Sequence, residues 1–445
     1  MHYKRLLSLI DSVSSYLSVG LDVGADFTWM SIALPNGSFV GKPFKIIHSD
    51  PRSRDLAVTK IKEAQETYSL KSRCFLESTG IYHIPLLCFL RDKGFDCSVI
   101  NPIITKNSTN LNIRKLHNDK FDSKKAALVG LNASLKTSIL PEDTVVDLRN
   151  LVRDYYYFKD QQTAVLLKLN AELKVSFPAY LQVFSKVTTQ SSLKLLSTYP
   201  LASDMLAAPK DELVGIIRNT ARFGGKYALD KYDAILAAAR DAAVFGRSLP
   251  SNAVRIRLYI DSYREHQRHL DAIMEALHES MDNLQGTPVH SRICLLQSLP
   301  GVGFLSAVVL MAEMGSFDLF SAPKKLFAYF GLDPAVKQSS KFAGYKIHMS
   351  KREASLNRRV LHMVALNNLK VGKGTKTPVN PAIYDYHIRK CTAKKKNVAV
   401  GAVMHKICNI IFAMLRDCRP FEIITPQEHC RRYACDHPNE TDKAA

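Results

Sequence analysis

Apolar and polar positions along the first third of the chain predict strands and helices in alternation. Apolar, β-rich runs at residues 18–24 and 27–34 predict two strands, and a Pro-Asn-Gly turn at 35–37 leads to a third at 38–47. Segments with helical spacing then alternate with short apolar runs. Three strands in a meander, followed by alternating helices and strands, is the order of a ribonuclease H-like domain, although simple α/β folds share parts of it. We therefore expect a ribonuclease H-like α/β domain at residues 15–143.

Residues 144–290 carry two long series of apolar positions at alternating spacings of three and four, which predict two coiled-coil helices. Each apolar seam holds one glutamine near its middle, a candidate for fixing the register of the pair. The sequence leaves open whether the seams pair within one chain or between chains. Pro and Gly breaks predict a small helical insert at 187–250. The first seam comprises Leu148, Leu151, Tyr155, Phe158, Gln162, Val165 and Leu169, and the second comprises Ile256, Ile260, Tyr263, Gln267, Leu270, Met274, Leu277, Met281 and Leu284.

A mostly helical domain is expected at residues 291–400, followed by a helix and tail at 401–445. Within it, a glycine-rich turn between two apolar segments predicts a helix-hairpin-helix. The backbone N–H groups of such a turn can hold a phosphate, which makes Gly301 and Gly303 candidate nucleic-acid contacts. A plain turn between two core helices is the alternative.

Composition adds a large positive charge to this picture. The 445 residues include 61 Lys and Arg against 41 Asp and Glu, a net charge of +20. Such an excess attracts a polyanion, and nucleic acid is the commonest one. No apolar run approaches the roughly 18 residues that a membrane span needs, so no membrane partner is expected. No signal peptide is expected at the start, and nine scattered cysteines fit a reducing cytosol.

Four carboxylates are candidate ligands for divalent metal. Asp22 and Glu77 each lie at the end of a predicted strand, and Asp119 and Asp122 lie three residues apart, on one face of a helical turn. Carboxylates that converge from strand ends and a helix suit a two-metal site. Taken singly, each of these acids is more often a helix cap or a surface charge.

Ser339 is a candidate nucleophile because it lies in a strongly basic segment. Residues 337–396 contain fifteen Lys and Arg against two acidic residues. A serine alcohol attacks phosphorus only when its proton is removed and cations hold the phosphate. Ser340 and Ser350 are the competing hydroxyls. The cations predicted to bind nucleic acid are Lys337, Lys341, Lys346, Lys351, Arg352, Arg358 and Arg359.

Together these segments resemble the DEDD-type transposases of bacterial insertion sequences, the family of bridge-RNA-guided serine recombinases. LDVGADFTWMSIA at 21–33 resembles the first-aspartate strand of the family, and ESTGIYHIPLL at 77–87 resembles its glutamate motif. IRKLHNDKFDSKKAA at 113–127 is similar to the paired-aspartate segment. Residues 299–342 and 348–352 resemble the C-terminal transposase domain, including the loop with the nucleophilic serine.

The resemblance implies a RuvC-like first domain with the tetrad Asp22, Glu77, Asp119 and Asp122, and Ser339 as the nucleophile. It also implies two Mg²⁺ ions per site and a covalent phosphoserine intermediate. The implied partners are double-stranded donor and target DNA, a guide RNA from the flank of the element, and further copies of the chain in a dimer or tetramer. The implied location is the bacterial cytoplasm, in association with the nucleoid.

Several positions depart from the pattern of the family. Ser340 and Glu353 stand where glycine is usual, and LHND at 116–119 and SLNRR at 355–359 replace other runs that the family usually has. Loss of glycine removes backbone freedom, and an added carboxylate weakens the local attraction for phosphate. Two alternative functions also stay open. One is a metal-dependent junction endonuclease in which water attacks, and the other is a nucleic-acid-binding protein without catalysis.

Overall fold

The chain divides into two compact units, Met1–Leu140 and Pro141–Ala445, each with its own buried core. The predicted division of the second unit at residues 290 and 400 stays a prediction. The computed structural model describes residues 15–77, 81–100, 119–132, 142–220, 224–334, 338–339, 342–343, 349–351, 354–372, 374, 376–393, 395–424 and 426–436.

The first unit is built on a mixed sheet of five strands: β1 (Leu17–Val23), β2 (Phe27–Ala33), β3 (Phe44–Ile47), β4 (Ser72–Glu77) and β5 (Asp96–Ile100). Their order in the sheet is β3-β2-β1-β4-β5. The first three strands pair antiparallel, whereas β4 lies parallel to both β1 and β5. The predicted meander and the α/β class are therefore confirmed, and the order is compatible with the ribonuclease H-like prediction.

Three helices of the first unit, α1 (Pro51–Tyr68), α2 (His83–Asp92) and α3 (Asp119–Gly130), cover the sheet. Successive side chains of a strand point to opposite faces, so β1 serves both sides. Its apolar residues Leu17, Val19, Leu21 and Val23 share one core with apolar residues of α1 and α2. The small residues between them lie against α3. This division brings α3 close to the backbone of the sheet.

The second unit begins with two long helices, α4 (Asp143–Ser176) and α9 (Pro250–Asn283), each of 34 residues. They pack antiparallel, because Leu148 shares a core with Met281, whereas Leu169 shares another with Ile260. Between these two cores, the Gln162 Nε2 atom donates to the Gln267 Oε1 atom at 2.9 Å. The two seams therefore pair within one chain, and the two predicted glutamines meet.

The polar contact between α4 and α9 extends beyond the two glutamines. Lys159 Nζ donates to the Gln162 Oε1 atom at 2.8 Å, and Gln267 Nε2 donates to the Asp271 Oδ1 atom at 2.8 Å. Gln162 is 2% exposed. A buried amide is tolerated only when its hydrogen bonds are made, so a shift of one helix against the other would leave this amide unsatisfied.

Four helices lie in the region predicted as a helical insert: α5 (Gln190–Thr198), α6 (Ala202–Ala207), α7 (Lys210–Thr220) and α8 (Gly225–Phe245). Their buried apolar residues join those of α4 and α9 in one core at that end of the helix pair. The other α-helices of the described residues are α10 (Pro288–Gln297), α11 (Phe304–Met314), α12 (Pro323–Tyr329), α13 (Ser355–Asn368), α14 (Pro381–Cys391), α15 (Lys396–Asp417) and α16 (Pro426–Asp436).

The helix α11 lies at the centre of the core that contains Leu148 and Met281. Every residue from Ala307 to Met314 is buried, which includes Glu313 at 5% exposure. Arg153 of α4 reaches this carboxylate with two hydrogen bonds of 2.6 and 2.9 Å, and Arg149 Nε donates to the Ala312 carbonyl oxygen at 2.8 Å. These charge-assisted bonds hold α4 against the end of α11.

One helix of the second unit has the length and composition of a membrane span. Within the described residues, α15 is long and apolar enough to cross a membrane, with a mean hydropathy of 1.9 over 18 residues. The charged residues Lys406 and Arg416 interrupt it, so it contains no unbroken apolar run of about 18 residues. Its apolar residues, among them Val403, Ile407 and Ile411, are buried in the core of the second unit. It is therefore packed as a core helix of that unit.

Replacement of Gln267 by Leu is expected to lower the free energy of unfolding by about 1–3 kcal/mol, because it leaves the buried Gln162 amide without this acceptor. The double change Gln162→Leu with Gln267→Leu should be less harmful than the sum of the single changes, since no amide is then left buried. Urea denaturation followed by circular dichroism would measure these differences. Additive effects would show that the two glutamines do not depend on each other.

Candidate functional site

The helix α3 lies directly on the backbone of the sheet. A Cβ atom added to Gly20 of β1 would lie 2.1 Å from the Ala127 nitrogen and 2.3 Å from the Ser123 carbonyl oxygen. At Gly130, a Cβ atom would lie 2.4 Å from the Ser18 Oγ atom. Only glycine at both positions permits this approach.

Buried serines fix the position of α3 on the sheet. Ser18 Oγ donates to the Ala127 carbonyl oxygen at 2.6 Å, and the Oγ atoms of Ser31 and Ser123 are hydrogen-bonded at 2.8 Å. The Ser123 hydroxyl also donates to the Lys120 carbonyl oxygen at 3.0 Å. These bonds attach β1 and β2 to α3, whose first turn carries Asp119 and Asp122.

The four predicted carboxylates come together at this end of the first unit. Asp22 lies near the end of β1, and Glu77 is the last residue of the adjacent parallel strand β4, so both lie at the same edge of the sheet. Burial raises the pKa of Asp22 from 3.8 to about 7, and repulsion from Asp122, Asp119 and Glu77 adds to the rise. The pKa of Asp22 thus responds to all three of the other acids.

The donor set fits a hard divalent cation. Carboxylate oxygens are the ligands that Mg²⁺ and Ca²⁺ prefer, and a cation among them would relieve the repulsion that raises the pKa of Asp22. Lys125 now offsets part of this repulsion, with its Nζ atom 3.3 Å from the Asp122 Oδ1 atom. Within the described ranges, no three His, Cys, Asp or Glu side chains are already arranged around a common ligand position.

The expected stability of the first unit depends on the glycine at position 20. Gly20→Ala places a methyl group against backbone atoms of α3, so we expect a loss of about 3 kcal/mol or more in the free energy of unfolding. Gly215→Ala is the control, because nothing lies within 4 Å of its added Cβ atom on α7. Fluorescence of Trp29, the single tryptophan, would report unfolding of the first unit. Equal stability of the two variants would contradict the close contact.

The raised pKa of Asp22 predicts a pH-dependent stability in metal-free buffer. The folded protein holds this proton up to about pH 7, whereas the unfolded chain loses it near pH 4, so the free energy of unfolding falls as the pH rises between these values. Asp22→Asn removes the penalty. We expect a gain of about 1–2 kcal/mol at pH 8 and little change at pH 4, a magnitude reduced because the side chain is partly exposed.

Thermal melts of the Asp22→Asn protein at the two pH values, followed by Trp29 fluorescence, would measure this difference. Asp26→Asn is the control, since Asp26 is an exposed carboxylate just beyond the same strand. The same gain at pH 4 and pH 8 would show that the carboxylate of Asp22 carries no electrostatic penalty.

Ser339 lies in a short hairpin of the second unit. The strand β6 (Gln338–Ser339) pairs antiparallel with β7 (Phe342–Ala343), and Ser339 is opposite Phe342. A bridge between Pro334 and Met349 closes the base of the segment. The sequence gives a basic loop here, and the structure places the serine at the end of a strand. For Gln338–Ser339 and Phe342–Ala343 the structure describes the backbone alone.

The competing hydroxyl of Ser350 is already engaged. Its Oγ atom donates to the Asp333 carboxylate, and its backbone N–H group donates to the Asp333 carbonyl oxygen at 2.7 Å. Ser350 therefore anchors the segment that follows the hairpin. Ser340 lies outside the described residues.

The predicted phosphate-binding cations fall into three groups. Lys351 is exposed, and Arg358 donates from its Nη1 atom to the Phe330 carbonyl oxygen at 3.0 Å. Arg359 forms two hydrogen bonds with Asp160, of 2.7 and 2.8 Å, and lies over the Tyr156 ring, so it holds α13 against α4. The cations outside the described residues are Lys337, Lys341, Lys346 and Arg352.

The glycine turn joins α10 to α11 and packs on α13. Gly301 has a φ of +80°, and its Cβ atom would lie 2.8 Å from that of Asn367. The Pro300 carbonyl oxygen accepts a hydrogen bond of 2.7 Å from Asn368 Nδ2. Gly303 directly precedes α11 and is exposed. The helix-hairpin-helix segment therefore contributes to the core, and phosphate binding by the N–H groups of its turn stays a prediction.

Sequence reasoning missed one group of side chains on α4. Residues 155–158 are four consecutive aromatic residues, more than a coiled-coil seam can use. The predicted seam took Tyr155 and Phe158, whereas the structure buries Tyr156 and leaves Tyr157 58% exposed. The run itself was the signal, since a helix turns its adjacent residues to different faces. Tyr156 and Tyr157 line a cleft together with residues of α11 and α13.

Two family models match the chain. The first, a transposase model of the DEDD type named for the insertion element IS110, matches residues 19–178. The second, described as the transposase IS116/IS110/IS902 family, matches residues 294–379. The first match includes all four carboxylates and the sheet except the first two residues of β1, and the second includes the glycine turn and Ser339. Together they match more than half of the chain.

Curated relatives agree with these matches at low identity. An uncharacterized 43.6 kDa protein of insertion element IS110 from Streptomyces coelicolor is 24% identical over 309 residues, which is 67% of this chain and 71% of the relative. An uncharacterized 42 kDa protein of insertion element IS900 from Mycobacterium paratuberculosis is 25% identical over 308 residues. A pilin gene-inverting protein from Moraxella bovis is 26% identical over 170 residues, and the match spans about half of its length, 51%.

Proposed function

Because this chain belongs to the IS110 family of transposases, a family of DNA-recombining enzymes, we propose that it cuts and rejoins DNA strands to move or invert a DNA element. The names of its relatives fit both outcomes, since two belong to insertion elements and one to a pilin gene inverter. We further propose that the first unit is a ribonuclease H-like, RuvC-like domain that binds Mg²⁺.

The observation that carries the proposal is the convergence of acids around Asp22. Glu77, Asp119 and Asp122 each contribute repulsion that raises the pKa of Asp22, although they come from another strand and from a helix. A protein gains no stability from gathering like charges at the end of a sheet. The arrangement is understandable if a cation or phosphate-bound metal enters it.

The proposed reaction is a transfer of phosphodiester bonds through Ser339. Its Oγ atom loses a proton and forms a bond to phosphorus, while the bond from phosphorus to the departing deoxyribose oxygen breaks and that oxygen gains a proton. A hydroxyl of another strand then attacks the phosphoserine and releases Ser339. Mg²⁺, when bound by the tetrad, supplies positive charge beside the phosphate and favours the deprotonated hydroxyl.

The cations of the second unit are proposed to position the DNA. Lys351 and Arg358 follow the hairpin of Ser339, and the excess of 20 positive charges over the whole chain favours a long polyanion. We propose double-stranded donor and target DNA, a guide RNA from the flank of the element, and a dimer or tetramer of this chain as partners. In such an assembly, acidic and serine domains of different copies complete one another's sites.

A covalent trap would test the nucleophile. Protein, flank RNA and nicked donor and target DNA would be mixed with Mg²⁺ and separated on a denaturing gel. We expect a protein–DNA adduct that disappears in Ser339→Ala and persists in Ser340→Ala. We also expect Asp22→Asn to lower adduct formation by at least about 100-fold, because charge neutralisation next to the phosphate is lost.

Other outcomes of this trap identify the alternatives. Cleavage without an adduct, unchanged in Ser339→Ala, would favour a metal-dependent junction endonuclease in which water attacks. Binding without cleavage would favour a nucleic-acid-binding protein. Persistence of the adduct in Ser339→Ala with loss in Ser340→Ala would move the nucleophile to the neighbouring residue.

A further inference from the structure

A cleft of about 580 Å³ lies in the second unit where α4, α11 and the start of α13 meet. Its lining includes Arg153, Tyr157 and Asp160 of α4, together with Glu313 of α11 and Lys351. The volume falls in the range of about 300–1,000 Å³ that sites for small ligands occupy. The cleft therefore has room for a group of nucleotide size.

The charges around the cleft leave it positive. Among the described residues that line it, three are cations, Arg153, Lys351 and Arg358, and two are carboxylates, Asp160 and Glu313. Both carboxylates are already compensated. Glu313 is bound by Arg153, and the hydrogen bonds to Glu313 raise the pKa of that guanidinium. Asp160 is bound by Arg359.

Lys351 is a cation of the cleft that has no acidic partner among the described residues. The residue is exposed, and the described ion pairs at the cleft, Arg153 with Glu313 and Arg359 with Asp160, do not involve it. An exposed ammonium at the rim of a positive cleft attracts an anion, and phosphate is the commonest biological anion of suitable size.

The backbone around Lys351 is held in an unusual conformation. Lys351 has a φ of +52° and Ala354 a φ of +29°, values that residues with a Cβ atom rarely adopt. The conformation of Lys351 is fixed by a hydrogen bond of 3.0 Å from its N–H group to the Gly331 carbonyl oxygen. Met349, two residues earlier, pairs with Pro334 at the base of the segment that carries Ser339. Lys351 is thus positioned by the same backbone that anchors the hairpin.

The two tyrosines of the cleft have different roles. Tyr156 is 5% exposed, and the Arg359 guanidinium lies 4.6 Å from the centre of its ring, so this ring is already used. Tyr157 is 58% exposed, and the edge-on contact with Phe158 at 5.2 Å holds its ring in place. An exposed, held aromatic ring beside a cation is the arrangement with which proteins stack an unpaired base and bind its phosphate.

We propose that this cleft binds one unpaired nucleotide, with its base stacked on Tyr157 and its phosphate held by Lys351. Bases within a duplex are stacked on each other and offer no free face, so the ligand is a single-stranded segment. The inference rests on the proposed function, because strand exchange exposes unpaired nucleotides next to the cleaved phosphate. It adds a site for the unpaired strand beside the segment that carries Ser339.

Binding of short labelled oligonucleotides to the full-length chain would test the site. Fluorescence anisotropy would be measured with a single-stranded DNA of about 12 nucleotides, an RNA of the same sequence and a DNA duplex, in buffer without divalent metal. Tyr157→Ala should weaken single-strand binding about tenfold, whereas Tyr157→Phe keeps the ring and should stay within about twofold of the parent. Duplex binding should be the same in all three proteins.

Lys351→Gln tests the phosphate contact. It should lower the slope of log Kd against log salt by about 0.7 for single strands, the value for one phosphate contact. Lys168→Gln is the matched control, since Lys168 is an exposed lysine on the same helix as Tyr157 and does not line the cleft. An oligonucleotide containing 2-aminopurine should lose fluorescence on binding to the parent protein and keep it in Tyr157→Ala.

Each outcome decides one question. Sensitivity to Tyr157→Ala with DNA alone, or with RNA alone, supports the cleft and identifies the strand that enters it, and equal sensitivity shows that it recognises what both share. Single-strand binding that is unchanged in Tyr157→Ala overturns the inference. So does single-strand binding that Lys168→Gln weakens as much as Lys351→Gln does. This assay needs neither metal nor cleavage. If single-strand binding contradicts the cleft and the protein still forms the Ser339 adduct, the cleft proposal is wrong and the proposed function stands.

Discussion

The acidic cluster depends on one close contact, in which the backbone of α3 lies directly on the backbone of β1 at Gly20. A Cβ atom there would overlap backbone atoms of Ser123 and Ala127. Glycine and buried serines let α3 approach closely enough for Asp119 and Asp122 to repel Asp22. A larger side chain at this position would push α3 away from the sheet and would move the two aspartates away from Asp22. This face of β1 therefore positions α3, whereas the apolar side chains of β1 are buried on its opposite face.

The second unit depends in a similar way on the register of α4. Gln162 and Gln267 meet between two apolar cores, and their hydrogen bond sets how far α4 extends along α9. That register decides which residues of the aromatic run face the partner helix and which face outward. Arg149 and Arg153 then attach the same helix to α11. The helix α4 thus pairs with α9, is attached to α11 by two arginines and lines one side of the cleft.

The two units handle charge in opposite ways. The first concentrates carboxylates at one end of a sheet, where Lys125 offsets only part of their mutual repulsion, an arrangement that favours a cation. In the second, the acids Glu313 and Asp160 are neutralised by arginines, so that Lys351 is left to attract an anion. DNA chemistry with bound metal needs both kinds of surface, because the phosphate must approach cations while the metal is held by acids.

The sequence by itself determined the local elements, because periodicity of apolar residues is a property of each segment alone. It predicted the meander of β1 to β3, the two long helices with their glutamines, and the four carboxylates at strand ends and on α3. Tertiary structure decided what lies next to what. Contacts between residues far apart in the chain decided four features. They are the pairing of both seams within one chain, the full burial of Tyr156 beside the half-buried Tyr155, the engagement of Arg359 by Asp160 and the core position of α15. Such contacts are set by packing and by the satisfaction of buried polar groups, which no short stretch of sequence contains.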